Sequence, residues 1–436
     1  MLEIDKVPVT FYDGIVGAQA CGEKRGKCSL RQGVVANDGA GTVTFNLMKP
    51  DPEFLYKLAL PFAVAVPDRI PSRIAAKGSL VPATGPYLIA EYRPQQRVVL
   101  TRNPRFREWS AAAQPDGFPN RIEFDLTKSQ DAQVTAVEHN KADLMVGFVP
   151  PDRLGEVTTR YAERLHVNTS TQSFYMFLNN RVPPFDRVDV RRALNYAVDR
   201  DELIRRFLGP LQLQPSCQIL PPNFPGYRPY CPYTRNPSPR AGGTWTGPDV
   251  DRAKRLIASS GTRGTKVTVW GFRDPSIGDD VRIARYFASL LRRLGYQASV
   301  KIVSTGLGDY FDLVHDSRNR AQIGSYGWIA DYPAPSAFIN SLLSCESFVP
   351  ASSKQSNPAE FCNPKIDGRI KQALELQVAD QAAANVRWAE LDRALTDQAP
   401  LLPMSAAKAV GFVSKRVGNY QYNPQFGVLI DQLWVR

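Results

Sequence analysis

The sequence predicts an α/β protein with at least two lobes, and three observations lead to that prediction. In the middle of the chain, apolar runs rich in β-branched residues alternate with amphipathic segments, a spacing typical of βαβ units whose parallel sheet is covered on both faces. The 436 residues amount to roughly two to three typical domains. Hydrophobic residues make up 43% of the chain, which is enough for ordinary cores and argues against disorder.

The first part of the chain contains short elements of both kinds. Residues 1–80 mix strands and loops, with alternation that predicts a strand at 42–47 and spacing that predicts a helix at 52–58. Two strand-like runs, at 87–92 and 97–101, flank a proline-containing turn and predict a hairpin. The pattern further predicts a strand at 122–126, a helix at 131–141 and a strand at 143–148.

The middle and the end of the chain are more regular. Gly295 ends one amphipathic helix, and Asp186 or Asp189 is available to cap another. We expect strands at 173–179, 265–270, 297–303, 321–326 and 401–413. We expect helices that begin near 190 and that cover 279–294, 310–317, 365–377 and 382–398.

The six cysteines fall into three local pairs within loops rich in Gly, Pro, Ser and Asn. Six cysteines allow fifteen pairings, but the clustering favours the sequential one. Zinc is the competing interpretation, but the sequence has no C-x-x-C pair, and its three histidines lie far from the cysteines. We therefore expect no metal site, an oxidising compartment, and three disulfides: Cys21–Cys28, Cys217–Cys231 and Cys345–Cys362.

The charge pattern does not point to nucleic acid, although the formal net charge is +12. The basic residues are spread along the chain among acidic and apolar residues, which favours a solvated surface and no nucleic-acid partner. The longest apolar stretch, residues 58–66, is interrupted by Pro61 and is far shorter than a membrane span. We expect membrane attachment only through an upstream anchor, as in a lipoprotein.

The sequence offers little catalytic chemistry. A nucleophile elbow, an H-E-x-x-H pair and a Walker A loop are absent, and Gly306 and Gly308 lack the third glycine of a dinucleotide fingerprint. We therefore expect no cofactor and no enzymatic activity. A secreted hydrolase is the least supported class.

One segment offers a binding site. Trp328, Asp331 and Tyr332 directly follow a predicted strand, where ligands of open α/β sheets bind. Two aromatic walls around one carboxylate suit an ammonium group or a hydroxylated ligand. Alternatively, Asp331 caps its own loop before Pro333 and the aromatic rings are buried in the core. The spacing alone does not decide between these two interpretations.

The chain resembles the family 5 extracytoplasmic solute-binding proteins, the oligopeptide- and dipeptide-binding components of ABC importers. The resemblance rests on four segments in the family's order. They are the A-T-G-P-Y hairpin with V-L-T-R-N-P at 83–104, the P-P-F-D … V-R-R-A-L-N-Y-A-V-D-R stretch at 183–200, the D-R-A-K-R-L segment at 251–256 with Gly261, and G-W-I-A-D-Y-P at 327–333. The family's N-terminal strands, which open lobe I and start the small lobe, have no counterpart here, so the resemblance is N-terminally incomplete.

The resemblance implies the two-lobe fold of type II, cluster C periplasmic binding proteins, with a small extra lobe. Mapped onto this sequence, residues 1–80 would be the remainder of the small lobe. Lobe I would comprise 81–172 and 413–436, and lobe II would comprise 173–412. Closure of the two main lobes on a ligand would be the functional event.

The resemblance also implies roles for four residues. Asp331 would bind the α-ammonium of a peptide, and Trp328 and Tyr332 would wall the same pocket. Ser325 occupies the place of an Arg that faces the ligand carboxylate in some peptide-binding members, so a carboxylate partner is not expected there. Peptides, sugars, opines and nickel complexes are all family ligands, and the sequence does not choose among them.

The implied function is that of a monomeric, extracytoplasmic receptor that delivers its solute to ABC permease subunits. The alternative is a ligand-sensing domain of a larger regulatory or signalling protein. An adjacent lipoprotein signal would favour import, and an adjacent winged-helix segment would favour sensing.

Overall fold

The computed structural model describes residues 9–23, 29–61, 63–65, 84–237, 243–274 and 278–436. Its N-terminal part has a small core around Tyr12, Ile15 and Ala18. The elements around that core are α1 (Ala18–Glu23), the antiparallel hairpin of β1 (Val34–Asn37) and β2 (Thr42–Phe45), and α2 (Phe54–Leu58). The predicted strand at 42–47 and the predicted helix at 52–58 are both present.

A three-stranded antiparallel sheet follows, in which the strands lie side by side in the order of the chain. It consists of β3 (Tyr87–Arg93), β4 (Arg97–Arg102) and β5 (Arg121–Asp125), and two helices follow it, α3 (Gln130–Glu138) and α4 (Leu154–Arg160). The predicted strand at 143–148 is wrong. This segment pairs with a later part of the chain at one point only, the bridge between Leu144 and Val413, and therefore forms no ladder.

The rest of the chain supplies the largest sheet and the helices that cover it. Its first elements are β6 (Leu165–Leu178), α5 (Val188–Ala197), α6 (Arg200–Arg206), β7 (Leu213–Pro215), α7 (Val250–Ser260), β8 (Lys266–Asp274) and β9 (Gly278–Asp279). Then come α8 (Val281–Arg293), β10 (Gln297–Val303), α9 (Leu307–His315), β11 (Ile323–Ile329), α10 (Ser336–Leu343), α11 (Pro364–Ala379), α12 (Gln381–Gln398) and β12 (Leu401–Phe412). The tail contains β13 (Val417–Gly418), β14 (Tyr422–Asn423), β15 (Gly427–Val428) and β16 (Trp434–Val435).

The large sheet has the strand order β10-β8-β11-β6-β12-β7, with β9 paired to β8 at its edge. The pairs β10–β8 and β8–β11 are parallel, as expected for βαβ units. The pairs β11–β6, β6–β12 and β12–β7 are antiparallel, so the expectation of a parallel sheet holds for one half only. Whether β6 and β12 run parallel or antiparallel to their neighbours depends on long-range pairing, which the pattern of apolar residues along each strand does not reveal.

Both faces of the large sheet are buried. Along β6, Tyr175 and Phe177 point into one hydrophobic core, whereas Met176 and Leu178 point into the other. Successive side chains of a strand leave on opposite faces, so this division requires a layer of helices on each side. The expectation of a covered sheet is therefore confirmed.

Strands β6 and β12 extend beyond the large sheet into a third core. Their outer ends pair from Leu165↔Phe412 to Thr169↔Lys408, and Phe412 packs there with Val134, Val137 and Val157. Strand β6 begins eight residues before the predicted start at 173, so the expected boundary at 172/173 falls inside a continuous strand. The division into three lobes stays a prediction.

Several arginines are buried rather than solvated. Arg200 is 0% exposed, and its guanidinium donates hydrogen bonds to the carbonyl oxygens of Ser216, Pro403 and Asn195. Burial lowers the pKa of Arg200 to about 10, so it remains a cation at neutral pH. Burial of this cation is possible because a guanidinium can satisfy several carbonyl groups at once.

The expected capping of α5 is also wrong. The residue before its first turn is Arg187, which makes no side-chain cap, and Asp189 lies inside the first turn. An acidic side chain there interacts favourably with the helix dipole without accepting a capping hydrogen bond. A true side-chain cap occurs at the next helix, where Asp199 accepts from the backbone N–H of Glu202 at 2.9 Å.

Two of the three expected disulfides are confirmed, Cys217–Cys231 and Cys345–Cys362. Cys21 is also disulfide-bonded, while its expected partner Cys28 lies outside the described residues. Within the described ranges, no helix has the length and apolar character needed to cross a membrane. The same ranges contain no group of three or more His, Cys, Asp and Glu side chains arranged to hold a metal ion.

Candidate ligand-binding site

The candidate site lies where β11 ends in the large sheet. Strand β11 runs to Ile329, and α10 begins at Ser336, so residues 330–335 form the connecting loop. Because β8, β10 and β11 are parallel, their carboxyl ends share one edge of the sheet. Asp331 is the second residue of the loop, at the edge where ligands of open α/β sheets bind.

Asp331 is a half-buried carboxylate in this loop. Its side chain makes no hydrogen bond and no ion pair with any described residue. Burial raises the pKa of Asp331 to about 6, because the charged form has lost much of its water. Because the Asp331 side chain accepts no hydrogen bond from its own loop, the structure does not support the interpretation in which Asp331 caps that loop.

Trp328 lies at the end of β11 with its ring held in place. Its indole Nε1 donates a hydrogen bond to the carbonyl oxygen of Ala337 at 2.7 Å. The ring stacks on Tyr326, with centroids 6.4 Å apart and planes inclined by 19°. The side chain is partly buried against the larger core, so it is a fixed apolar wall three residues before Asp331.

Tyr332 and Ser325 are both buried, and their hydroxyls have partners within the protein. Tyr332 OH donates to Glu53 Oε2 at 3.2 Å, and the ring packs in the core as the second interpretation of the loop expected. Ser325 Oγ donates to the sulfur of Met176 at 3.7 Å inside the sheet. The structure thus brings Trp328 and Asp331 to one strand end with both side chains partly accessible, whereas Tyr332 and Ser325 lie inside.

Two residues that contact this loop were not predicted from the sequence. Gln425 donates hydrogen bonds from Nε2 to the carbonyl oxygens of Ala330 and Asp331, both at 2.8 Å. Glu53 accepts hydrogen bonds from Tyr332 and Ser336. Both contacts join segments far apart in the chain, so no local sequence pattern predicts them.

The comparisons with known proteins point to one family. A model described as bacterial extracellular solute-binding proteins, family 5 Middle, matches residues 27–349, about three quarters of the chain. The chain is 24% identical over 388 residues to the periplasmic oligopeptide-binding protein OppA of Escherichia coli (strain K12), which covers 87% of this chain and 66% of that protein. It is 24% identical over 393 residues to the dipeptide-binding protein of the same strain, at 88% and 68% coverage.

A solved structure shows the same fold. The clavulanic acid biosynthesis oligopeptide binding protein 2 superimposes with a TM-score of 0.77 at 22% sequence identity, covering 93% of this chain and 72% of that chain. The fold class expected from the resemblance is therefore confirmed. The chain spans about two thirds of the length of the two curated relatives.

Proposed function

This chain belongs to the bacterial extracellular solute-binding proteins of family 5, and we propose that it captures short peptides by their free amino terminus and delivers them to an ABC importer. Membership of an extracellular family agrees with the oxidising compartment that two disulfides require. Both curated relatives are named for oligopeptide or dipeptide binding. A sensing role is not proposed, because neither the fold nor these relatives favour it.

The carboxylate of Asp331, which has no partner among the described residues, carries this proposal. A buried charge without a partner is costly, and proteins retain such charges mainly where a ligand completes the pair. A peptide α-ammonium presents a positive charge and three N–H donors, and it is a matching partner for a carboxylate in a partly dehydrated site. Burial, which raises the pKa of Asp331, takes water from its carboxylate that a bound ammonium group would replace.

The surroundings of Asp331 support a peptide rather than a bare amine. Trp328, three residues before Asp331 and packed against the larger core, would give the site an apolar wall suited to the first side chains of a peptide. Its fixed position limits the entropy that the protein loses on binding. Tyr332 supports the loop from inside, with its hydroxyl bound to Glu53.

Ser325 shapes the other half of the proposed specificity. Its hydroxyl is bound to Met176 within the sheet, and it brings no positive charge to the strand. We therefore propose strong selection at the amino end of the ligand and weak selection at its carboxyl end. Free acids and C-terminal amides of one peptide should bind with similar affinity.

Native mass spectrometry with an equimolar pool of tripeptides tests this function. The pool is offered once with free amino termini and once N-acetylated, because acetylation removes the charge and keeps the rest of the peptide. The proposal predicts that the free pool yields protein–peptide complexes and that the acetylated pool does not. Equal occupancy by both pools, or by neither, would contradict it.

A further inference from the structure

The loop that carries Asp331 is held by Gln425 from the C-terminal tail. Gln425 Nε2 donates to the carbonyl oxygens of Ala330 and Asp331, both at 2.8 Å, across 95 and 94 residues of sequence. Gln425 lies in the turn between β14 and β15, where Asn423 Oδ1 accepts from the backbone N–H groups of Gln425 and Phe426 at 2.8 and 3.1 Å. The tail turn is thus fixed, and it presents the amide of Gln425 in one place.

The later residues of the same segment are held by Glu53 from the N-terminal part. Glu53 is 1% exposed, and both of its carboxylate oxygens lie 2.7 Å from the hydroxyl oxygen of Ser336. Tyr332 OH donates to it at 3.2 Å, and the ring of Tyr332 stacks on Tyr56 with the planes inclined by 10°. Asp51 accepts from the backbone N–H of Glu53 at 2.9 Å, which fixes Glu53 in turn.

These contacts bracket one residue. The backbone is held at Ala330 and Asp331, the side chains are held at Tyr332 and Ser336, and the carboxylate of Asp331 between them stays unbound among the described residues. We propose that Gln425 and Glu53 are positioning residues that hold the Asp331 carboxylate ready for the ligand's amino group. This inference rests on the proposed function, because it explains how that site is kept in a binding geometry.

The origin of the two residues gives the arrangement a second consequence. Glu53 lies in the predicted small lobe, Gln425 in the predicted lobe I, and the loop in the predicted lobe II. The loop is therefore anchored from both of the other predicted lobes, and a loop ordered in advance binds a ligand at a lower entropic cost.

Hydrogen exchange of the full chain without ligand tests the anchoring itself. In Gln425→Leu, the amides of residues 329–332 should exchange at least fivefold faster than in the wild type, because both carbonyl contacts are lost. Gln421→Leu is the matched control, since Gln421 lies one strand away in the same tail and is exposed. Unchanged exchange in Gln425→Leu would overturn the proposal.

A double-mutant cycle tests the link to Asp331. With the free tripeptide pool as probe, Gln425→Leu should weaken binding about tenfold in the wild-type background and less than twofold in an Asp331→Asn background. Equal losses in both backgrounds would overturn the proposed role. If the wild type binds no peptide, the proposed function fails, and the exchange experiment still decides whether Gln425 anchors the loop.

Glu53 needs a conservative variant, because its carboxylate is buried. Glu53→Gln keeps an acceptor for Ser336 and should retain most of the affinity for the tripeptide pool, whereas Glu53→Ala should lose about tenfold. The melting temperature of each variant is measured alongside, so that unfolding is not mistaken for loss of binding. Equal affinities of Glu53→Ala and the wild type would exclude Glu53 as a positioning residue.

Discussion

The indole of Trp328 is tied to the first turn of the following helix, because its Nε1 donates to the carbonyl oxygen of Ala337 at 2.7 Å. The two residues lie on either side of the Asp331 loop, so this bond closes the loop at its base. An aromatic ring fixed in this way is a wall rather than a mobile flap. Its contribution to peptide binding should therefore be proportional to the apolar area that it buries.

Truncation of Trp328 tests this role. Trp328→Ala should weaken peptide binding by tenfold or more, which corresponds to about 1.4 kcal/mol of lost apolar contact. Trp328→Phe keeps most of the ring and loses the bond to Ala337, so a smaller loss is expected. Isothermal titration calorimetry measures both, with Trp109→Ala as control because Trp109 is 70% exposed. If Trp109→Ala also weakened peptide binding tenfold, the effect would not be specific to Trp328 and its proposed role in the site would be wrong.

Asp331 should reduce the stability of the free protein at neutral pH. Its pKa is about 6 when folded, against an ordinary value of 3.8, so the folded state binds the proton more tightly than the unfolded state. The charge therefore costs stability above pH 6, up to about 3 kcal/mol, and this cost disappears as pH falls below about 4. Asp331→Asn should accordingly raise the free energy of unfolding at pH 7.5 and have little effect at pH 4.

Urea denaturation at the two pH values measures this difference between variant and wild type. Asp152→Asn is the matched control, because Asp152 is an exposed aspartate. A destabilised Asp331→Asn at pH 7.5 would mean that the carboxylate already has a partner in the free protein, contrary to the geometry described.

Arg200 should be among the most important residues for stability. Arg200→Met removes the donors to three buried carbonyl oxygens, those of Ser216, Pro403 and Asn195. Each buried acceptor left without a donor costs about 1–3 kcal/mol, so a loss above about 3 kcal/mol is expected. Arg205→Met on the same helix is exposed and should change stability by less than about 0.5 kcal/mol. Similar melting temperatures for both variants would refute the predicted importance of Arg200 for stability.

The pairing of Cys21 with Cys28 stays a prediction. Peptide mapping by mass spectrometry without reduction should yield one linked pair that contains both residues, besides the pairs Cys217–Cys231 and Cys345–Cys362. The physical reason is proximity in the sequence, which makes a short loop the easiest to close. A peptide that joins Cys21 to any other partner would disprove it.

The sequence predicted elements best where a local pattern determines them. Strand β10 has the predicted bounds, Gln297–Val303, because it is a short run that ends at a loop on either side. The first half of β6 was missed, because its residues are mostly polar and it is held by pairing with β12. The directions of β6 and β12 depend on the same long-range pairing.

In the candidate site, too, the sequence predicted only what a local pattern determines. Trp328 and Asp331 could be found from the sequence, because an aromatic residue and an acid directly follow an apolar run. Gln425 and Glu53 could not, since their hydrogen bonds span 94 and 279 residues. Nor could the sequence show that Asp331 has no partner among the described residues, because that depends on what the fold brings near it.

The most direct test of the central claim compares one peptide in two forms on two proteins. Calorimetry measures the affinity of the wild type and of Asp331→Asn for a tripeptide from the pool and for its N-acetylated form. We predict that the wild type prefers the free amino terminus by at least tenfold and that Asp331→Asn shows no preference. The same preference in both proteins would contradict the assignment of Asp331 as the group that binds the ligand's amino terminus.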